Sequence, residues 1–239
     1  MKWDTWDNRL RFNAAYFRTE AEGLQRSVSR TTLNDVVEQV TQNAADALFD
    51  GVELEVNALV GDNLTLNASI GWLDARYDGF CQDLNGPQPN DPSLVPCASP
   101  IGGAQPVDLT DLPLARSPEW TYRLNAIYEA EIGQGVAAFS LEWVYTDEQM
   151  TLDQGAPAGT ADGLVNFNGE KVNPMRDSTE MVNGSITWRD HENRYKVSLY
   201  GKNLTNELYY RRLSYAPPVL AFGTLNNPRE FGVEFSYSF

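Results

Sequence analysis

The residue types that ordinarily carry catalysis are sparse in this sequence and poorly placed for it. His191 is the sole histidine of the 239 residues and lies between Asp190 and Glu192, in a polar stretch, 189–193, that reads as a turn. A lone imidazole in a solvated turn, with no nucleophile beside it, is not expected to act as an acid or base. Gly133-Gln134-Gly135 lacks the third glycine and the following helix of a phosphate-binding fingerprint, and reads as a hairpin turn. Asp147, Glu148, Asp153 and Asp162 gather acid near one connection, but their spacing follows no calcium-loop pattern. Cys81 and Cys97 are the only cysteines, and without nearby histidines they make half a metal site at best. Both flank a proline-rich stretch. A disulfide there would close a loop of about 15 residues and be worth roughly 3 kcal/mol in the chain-entropy model, two free thiols being the alternative. Such a bond persists in an oxidising compartment. No enzymatic activity, metal or cofactor is expected.

What the sequence does carry is alternation. The last nine residues, Phe231-Gly-Val-Glu-Phe-Ser-Tyr-Ser-Phe239, put Phe231, Val233, Phe235, Tyr237 and Phe239 on one face of a strand, with Gly232, Glu234, Ser236 and Ser238 on the other. An aromatic terminal strand with an unpaired edge invites aggregation in water. In a membrane barrel its edge is paired and its aromatic face meets lipid. Apolar runs such as Ala14-Ala15-Tyr16-Phe17 fall far short of the roughly 18 to 20 residues of a spanning helix, so any crossing is made by strands. With 18 basic and 33 acidic residues the formal net charge is −15, which argues against nucleic acid as a partner. The acidic excess itself reads as solvated loops and turns.

Eight alternating segments follow from the same pattern: Arg9 to about Val28, about Val40 to Val60, Leu64 to about Tyr77, about Arg116 to Ile132, a fifth after the Gly133-Gln134-Gly135 turn that carries Phe139, Leu141, Trp143 and Tyr145, about Val172 to Trp188, Tyr195 to about Tyr215, and the terminal strand. Each is expected to exceed the roughly 9 to 11 residues that a tilted strand needs to cross a bilayer. Short turns fall after the second, fourth and sixth segments, long connections after the others. This is the rhythm of an all-β, antiparallel up-and-down transmembrane barrel with periplasmic turns and outer loops, both chain ends lying on the periplasmic side. Most prolines sit in the proposed loops, where no ladder hydrogen bond is lost. The outward rows carry Leu10, Phe12, Ala14 and Tyr16, then Leu66, Ala68, Ile70 and Trp72, then Trp120, Tyr122, Leu124, Ala126 and Tyr128, and Phe139, Leu141, Trp143 and Tyr145. The inward rows carry Arg9, Arg11, Glu53, Glu55, Arg123, Glu142, Lys196 and Glu234, which can form an internal charge network, beside residues too small to fill a closed eight-stranded interior. That balance favours a wide lumen. Tyr209, Tyr210, Tyr215 and Phe222 fall near an outer loop. Loop packing is the plainer role for them, contact with a ligand the functional one.

Four stretches, in order, resemble TonB-dependent outer-membrane receptors: 42–55, ending Gly51-Val52-Glu53-Leu54-Glu55; 64–77, Leu64-Thr65-Leu66-Asn67-Ala68-Ser69-Ile70-Gly71-Trp72 onward; 201–210, Gly201-Lys202-Asn203-Leu204-Thr205-Asn206-Glu207-Leu208-Tyr209-Tyr210; and Pro228-Arg229-Glu230-Phe231-Gly232-Val233. The series Phe231, Val233, Phe235, Tyr237 and Phe239 is similar to the signal read by the barrel-assembly machinery. The resemblance implies an outer-membrane location in a Gram-negative bacterium. It also implies a role in taking up a scarce, bulky ligand of the ferric siderophore, cobalamin or oligosaccharide class. Receptors of this family are similar in having a signal peptide, a plug domain and 22 strands. Residues 1–239 are accordingly expected to be the C-terminal part of such a barrel. Nothing before Arg9 reads as a plug or an apolar signal segment. The implied partners are outer-membrane lipid, the barrel-assembly machinery, the missing plug and strands on the same or another chain, and TonB only through that plug. Two other readings remain open: a self-contained eight-stranded barrel with a structural or adhesion role, and a soluble β-sandwich or lipid carrier.

Overall fold

The computed structural model describes residues 1–31, 37–82, 107–108, 110–151, 164–165, 171–172, 175–216 and 220–239. Among these every regular element is a strand: β1 (Lys2–Thr5), β2 (Leu10–Thr31), β3 (Val37–Val60), β4 (Leu64–Gln82), β5 (Val107–Asp108), β6 (Trp120–Ile132), β7 (Gly135–Thr146), β8 (Gln149–Met150), β9 (Leu164–Val165), β10 (Lys171–Val172), β11 (Met175–Arg176), β12 (Thr179–Asp190), β13 (Tyr195–Lys202), β14 (Tyr210–Ala216), β15 (Leu220–Leu225) and β16 (Glu230–Tyr237). The main sheet follows the order β1-β2-β3-β4-β6-β7-β12-β13-β16, with β5 paired to β4 off this path. Every ladder along it is antiparallel, and the wall strands follow one another in chain order with β5, β8–β11 and β14–β15 lying off the path, the up-and-down topology that the alternation predicts.

The turns form where the residues permit them. Gly61 and Gly133 take φ of 63° and 66°, and Asn193 takes 54°, closing the β3–β4, β6–β7 and β12–β13 hairpins in the left-handed region that glycine and asparagine tolerate. Arg9 secures the first by donating to the Gly61 carbonyl and to Asp62.

Several expectations are corrected. A ninth wall strand, β1, precedes the first expected one; Trp6, Asp7 and Asn8 turn it into β2, and Met1 lies level with Ala14 instead of at the turn end. β2, β3 and β4 run past the expected limits to lengths of 22, 24 and 19 residues. β6 starts at Trp120 because Ser117-Pro118 precedes it, and proline at 118 cannot donate to the ladder. The sixth segment begins at Thr179, with β11 a separate piece paired to β8. The seventh ends at Lys202; Tyr210–Ala216 belongs to a separate hairpin with β15. β13 and β16, at eight residues each, fall below the length expected of every segment. The closed eight-stranded barrel does not form: among the described residues β1 and β16 do not pair, and the sheet stays open.

One register row shows how the faces separate. Leu10, Ala58, Leu66, Ala126, Leu141, Gly184, Gly201 and Phe231 are successive cross-strand partners, and all lie on the outward face. Two aromatic belts bracket that row. Toward the loop end Tyr122 lies 5.8 Å from Trp120, 6.5 Å from Trp143 and 5.4 Å from Tyr145, ring centre to ring centre. Toward the turn end Tyr237 lies 5.0 Å from Tyr195 and 5.2 Å from Phe239, and the Trp188 indole donates to the Ile132 carbonyl at 3.1 Å. From Trp120 to Tyr128 the strand rises roughly 27 Å, or about 20 Å of thickness at a tilt of ~40°, close to the ~25 Å apolar band of outer-membrane barrels.

The opposite face is polar and cross-linked. Asn67 donates to Asn125 at 3.3 Å, and Asn125 to Ser140 at 3.2 Å. Arg123 meets Glu142 at 3.4 Å, Asn183 donates to Glu142 at 2.8 Å, and Lys196 meets Glu234 at 3.4 Å. The Arg123 side chain is 62% exposed, so these pairs do not fill a closed interior. Two close approaches reinforce this face. The Phe17 ring covers Gly51 and the Tyr200 ring covers Gly232, and a Cβ would meet them at 2.2 and 2.3 Å.

The most buried side chains lie beyond the loop-end belt. Ala45, Ala47, Tyr77, Phe80 and Leu114 form one cluster, joined by Leu24, Phe49, Ala75 and Leu112. The stretch 110–116 then crosses to the neighbouring strands. The Phe80 amide donates to Thr110 at 3.0 Å, and Arg116 donates to the Met150 carbonyl at 2.9 Å. Ala115 packs there with Met150, Met175 and Leu213 in a second small core. The outer rim is thus braced by its own apolar contacts, independently of lipid.

Candidate ligand site at the outer rim

At the loop end, between the β8–β11 pair and the chain leaving β13, lies a cavity of about 220 Å3 lined by residues that include Arg176, Asp177, Thr179, Glu207, Tyr209 and Leu213. Arg176 closes one side because β11 holds it opposite Gln149. Its guanidinium lies 4.6 Å from the centre of the Tyr209 ring, a cation–π arrangement. Burial lowers the Arg176 pKa from its ordinary value and Tyr209 acts the other way; the group remains a cation at neutral pH. A half-buried cation on a phenol ring, beside two carboxylates and a threonine, can bind an oxyanion through its N–H edge and an aromatic group through stacking.

Of the four aromatic residues expected near an outer loop, two have described side chains, and these part company. Tyr209 stacks with Arg176 at the cavity. Tyr210 starts β14 and lies over Gly223, where a Cβ would meet its ring at 2.5 Å, so it is fixed by the hairpin while also lining the cavity. Tyr215 pairs with Ala221 and Phe222 with Ser214 in the β14–β15 ladder; their side chains lie outside the described residues. Cys81 is placed by backbone opposite Asp108, and Cys97 lies outside the described residues, as do Asp153 and Asp162. Asp147 accepts hydrogen bonds from the Tyr145 hydroxyl at 3.1 Å and the Glu148 amide at 3.0 Å. His191 sits at the turn end, its Nε2 3.6 Å from Glu131, far along the strands from the rim.

Phe231, Val233, Phe235 and Tyr237 all lie on β16 with 72, 71, 65 and 46% of their surface exposed, and Phe239 follows beyond it. The alternation had not singled out Arg176, Asn203 or Asn226. Arg176 falls inside the sixth expected segment, about Val172 to Trp188, whose apolar row is marked only from Val182 onward, and the structure puts it instead on the separate piece β11. Asn203 stood inside the Gly201–Tyr210 stretch, but nothing in the alternation marked it as a corner.

The fold and the two faces define a class: a transmembrane β-barrel wall with a polar lumen and a braced outer rim. Residues 1–204 match the family model for the TonB dependent receptor-like β-barrel, and the chain belongs to that family. Its members are outer-membrane receptors of Gram-negative bacteria and not enzymes, which excludes the soluble sandwich and lipid-carrier readings. A probable TonB-dependent siderophore receptor of Acinetobacter baumannii, PiuA, is 32% identical over 75 residues, 31% of this chain and 9% of the relative. The ferric yersiniabactin uptake receptor FyuA from Yersinia pestis superposes with a TM-score of 0.64 at 16% identity, over 100% of this chain and 28% of FyuA. The copper transporter OprC superposes at 0.63 and 16% identity, over 100% of this chain and 30% of OprC. The chain thus spans less than a third of each, and the last two establish the fold without the cargo.

Proposed function

We propose that residues 1–239 supply the C-terminal portion of the barrel wall and part of the outer rim of a receptor that imports a ferric siderophore. The plug and remaining strands would be supplied from elsewhere in the same or another chain, and TonB would act through that plug. The reading is supported chiefly by the rim cavity, in which Arg176 lies on Tyr209. A ferric chelate with oxygen donors presents the oxyanion edges and flat aromatic or amide groups that this pair accommodates. The likeness to PiuA points the same way. Cobalamin and oligosaccharides are the competing cargoes within the same uptake reading. Outer-membrane lipid would cover the outward rows, and the barrel-assembly machinery would read Phe231, Val233, Phe235, Tyr237 and Phe239.

The test is uptake by cells lacking the gene that encodes this chain, offered one probe at a time: a ferric catecholate, a ferric hydroxamate, cyanocobalamin or a maltooligosaccharide. Loss of uptake of one ferric chelate, restored by the intact gene but not by Arg176→Ala, is the expected result. Loss confined to cyanocobalamin or the oligosaccharide overturns the siderophore reading.

A further inference from the structure

The chain leaves the wall at the end of β13 and reaches the β14–β15 hairpin through a corner built on asparagine. Asn203 is 5% exposed and takes φ of 51°, and Asn206 takes 56°, conformations that asparagine tolerates better than most residues. The Asn203 side chain is engaged at both ends of its amide. Its Nδ2 donates to the carbonyls of Glu207 at 2.8 Å and Asn227 at 3.0 Å, while its Oδ1 accepts from the Glu207 amide at 2.9 Å and the Thr205 hydroxyl at 3.3 Å. Asn226, 9% exposed, comes from the far side of the hairpin and completes the corner. Its Nδ2 donates to Glu207 at 2.9 Å, its Oδ1 accepts from the Tyr209 amide at 2.9 Å, and its own amide donates to the Tyr209 carbonyl at 3.0 Å.

The corner is also tied to the lumen wall. The Asn203 amide donates to Asn183 Oδ1 at 2.9 Å, Asn183 donates to Glu142 at 2.8 Å, and Glu142 meets Arg123 at 3.4 Å. Backbone groups in an irregular, buried segment must find partners, and only an amide side chain offers two donors and an acceptor to groups running in both chain directions. Both main-chain groups of Tyr209 are thereby held by one residue, Asn226, which Asn203 in turn meets through the shared Glu207 carbonyl.

We propose that Asn203 and Asn226 are positioning residues for the rim site: they fix the Tyr209 backbone, and so hold its ring against Arg176, with the lumen wall as the anchor. This rests on the uptake reading only where ligand is concerned; the placement of Tyr209 stands apart from it.

The experiment uses the receptor in outer-membrane vesicles and two variants, Asn203→Gly, which keeps the left-handed backbone while removing the amide, and Asn226→Ala. Hydrogen exchange read by mass spectrometry should rise at least about tenfold over 204–210, with peptides from β7 and β12 unchanged, because a lost local hydrogen bond opens only the corner. Binding of the ferric chelate whose uptake depends on the gene should weaken in both variants with the number of sites unchanged. Unchanged exchange over 204–210 in both variants overturns the proposal. So does failure of both to reach the membrane folded, which would make the corner a folding element. Faster exchange with unchanged affinity removes the ligand role of the corner while leaving the uptake reading intact, and a wild-type receptor that binds neither ferric chelate sinks that reading instead.

Discussion

Replacing Leu124 with arginine probes whether the outward face meets lipid. Leu124 stands midway between Trp120 and Tyr128 on β6, is 47% exposed, and has Ala68 and Trp143 as its cross-strand partners. Four residues of strand separate it from Trp120 and from Tyr128, roughly 13 Å along the chain and about 10 Å of depth at a tilt of ~40°, which places it near the middle of the apolar band. A cation on the lipid face costs about 2–4 kcal/mol at that depth and about 0–1 near an interface. At ~1.36 kcal/mol per factor of ten, Leu124→Arg should lower the folding equilibrium constant roughly 30- to 1,000-fold, which depletes the folded fraction of a protein near its stability threshold. Tyr128→Arg, two residues short of the Trp188 row and so nearer the turn-end belt, should cost less than Leu124→Arg. Ala15→Arg, exposed on the polar face opposite Glu53, should change little, since exposed substitutions stay within about 0.5 kcal/mol. The assay is the heat-modifiable folded band in outer-membrane fractions of cells carrying each variant, scored against total protein. Equal losses for Leu124→Arg and Ala15→Arg, or no loss for Leu124→Arg, would refute the assignment of faces.

Other outcomes follow from particular contacts. Gly232→Ala drives a Cβ to 2.3 Å from the Tyr200 ring and should cost about 1–3 kcal/mol, a loss relieved in the Tyr200→Ala background; additive losses would show that the ring does not set the constraint. Phe80→Ala empties a site 1% exposed and should cost about 3–5 kcal/mol, concentrated at the rim, so external protease should cut the variant faster while the folded band persists. Tyr209→Ala should weaken ligand binding by about 0.5–2 kcal/mol through loss of the cation–π support for Arg176, read as a rise in Kd. Phe239→Ala should slow assembly into the outer membrane and leave unfolded chains in the periplasm, followed by pulse-chase fractionation.

Alternation by itself determined the class of structure. A period of two repeated across the chain, with aromatics at belt positions and short polar turns after every second strand, has few solutions other than an up-and-down membrane sheet. The row from Leu10 to Phe231 bears that out residue by residue. Period-two patterns say nothing about where a strand stops being wall. β2–β4 therefore ran further than expected, and the stretch after Lys202 read as one long strand although Asn203 turns the chain out of it. β1 was passed over because four residues, Lys2–Thr5, are too few to display a period.

The candidate site was legible only in its aromatic half. Tyr209 could be noticed as an aromatic near a loop. Its partner Arg176 is 33 residues earlier, and its anchors Asn203 and Asn226 lie on either side of a hairpin, so nothing short of the folded chain joins them. The sequence determined which face of each strand is apolar, because that depends on neighbours two residues apart. Tertiary structure decided which polar side chains meet at the rim, because hydrogen bonds there link groups distant along the chain, and the buried backbone of the corner leaves them no other partners.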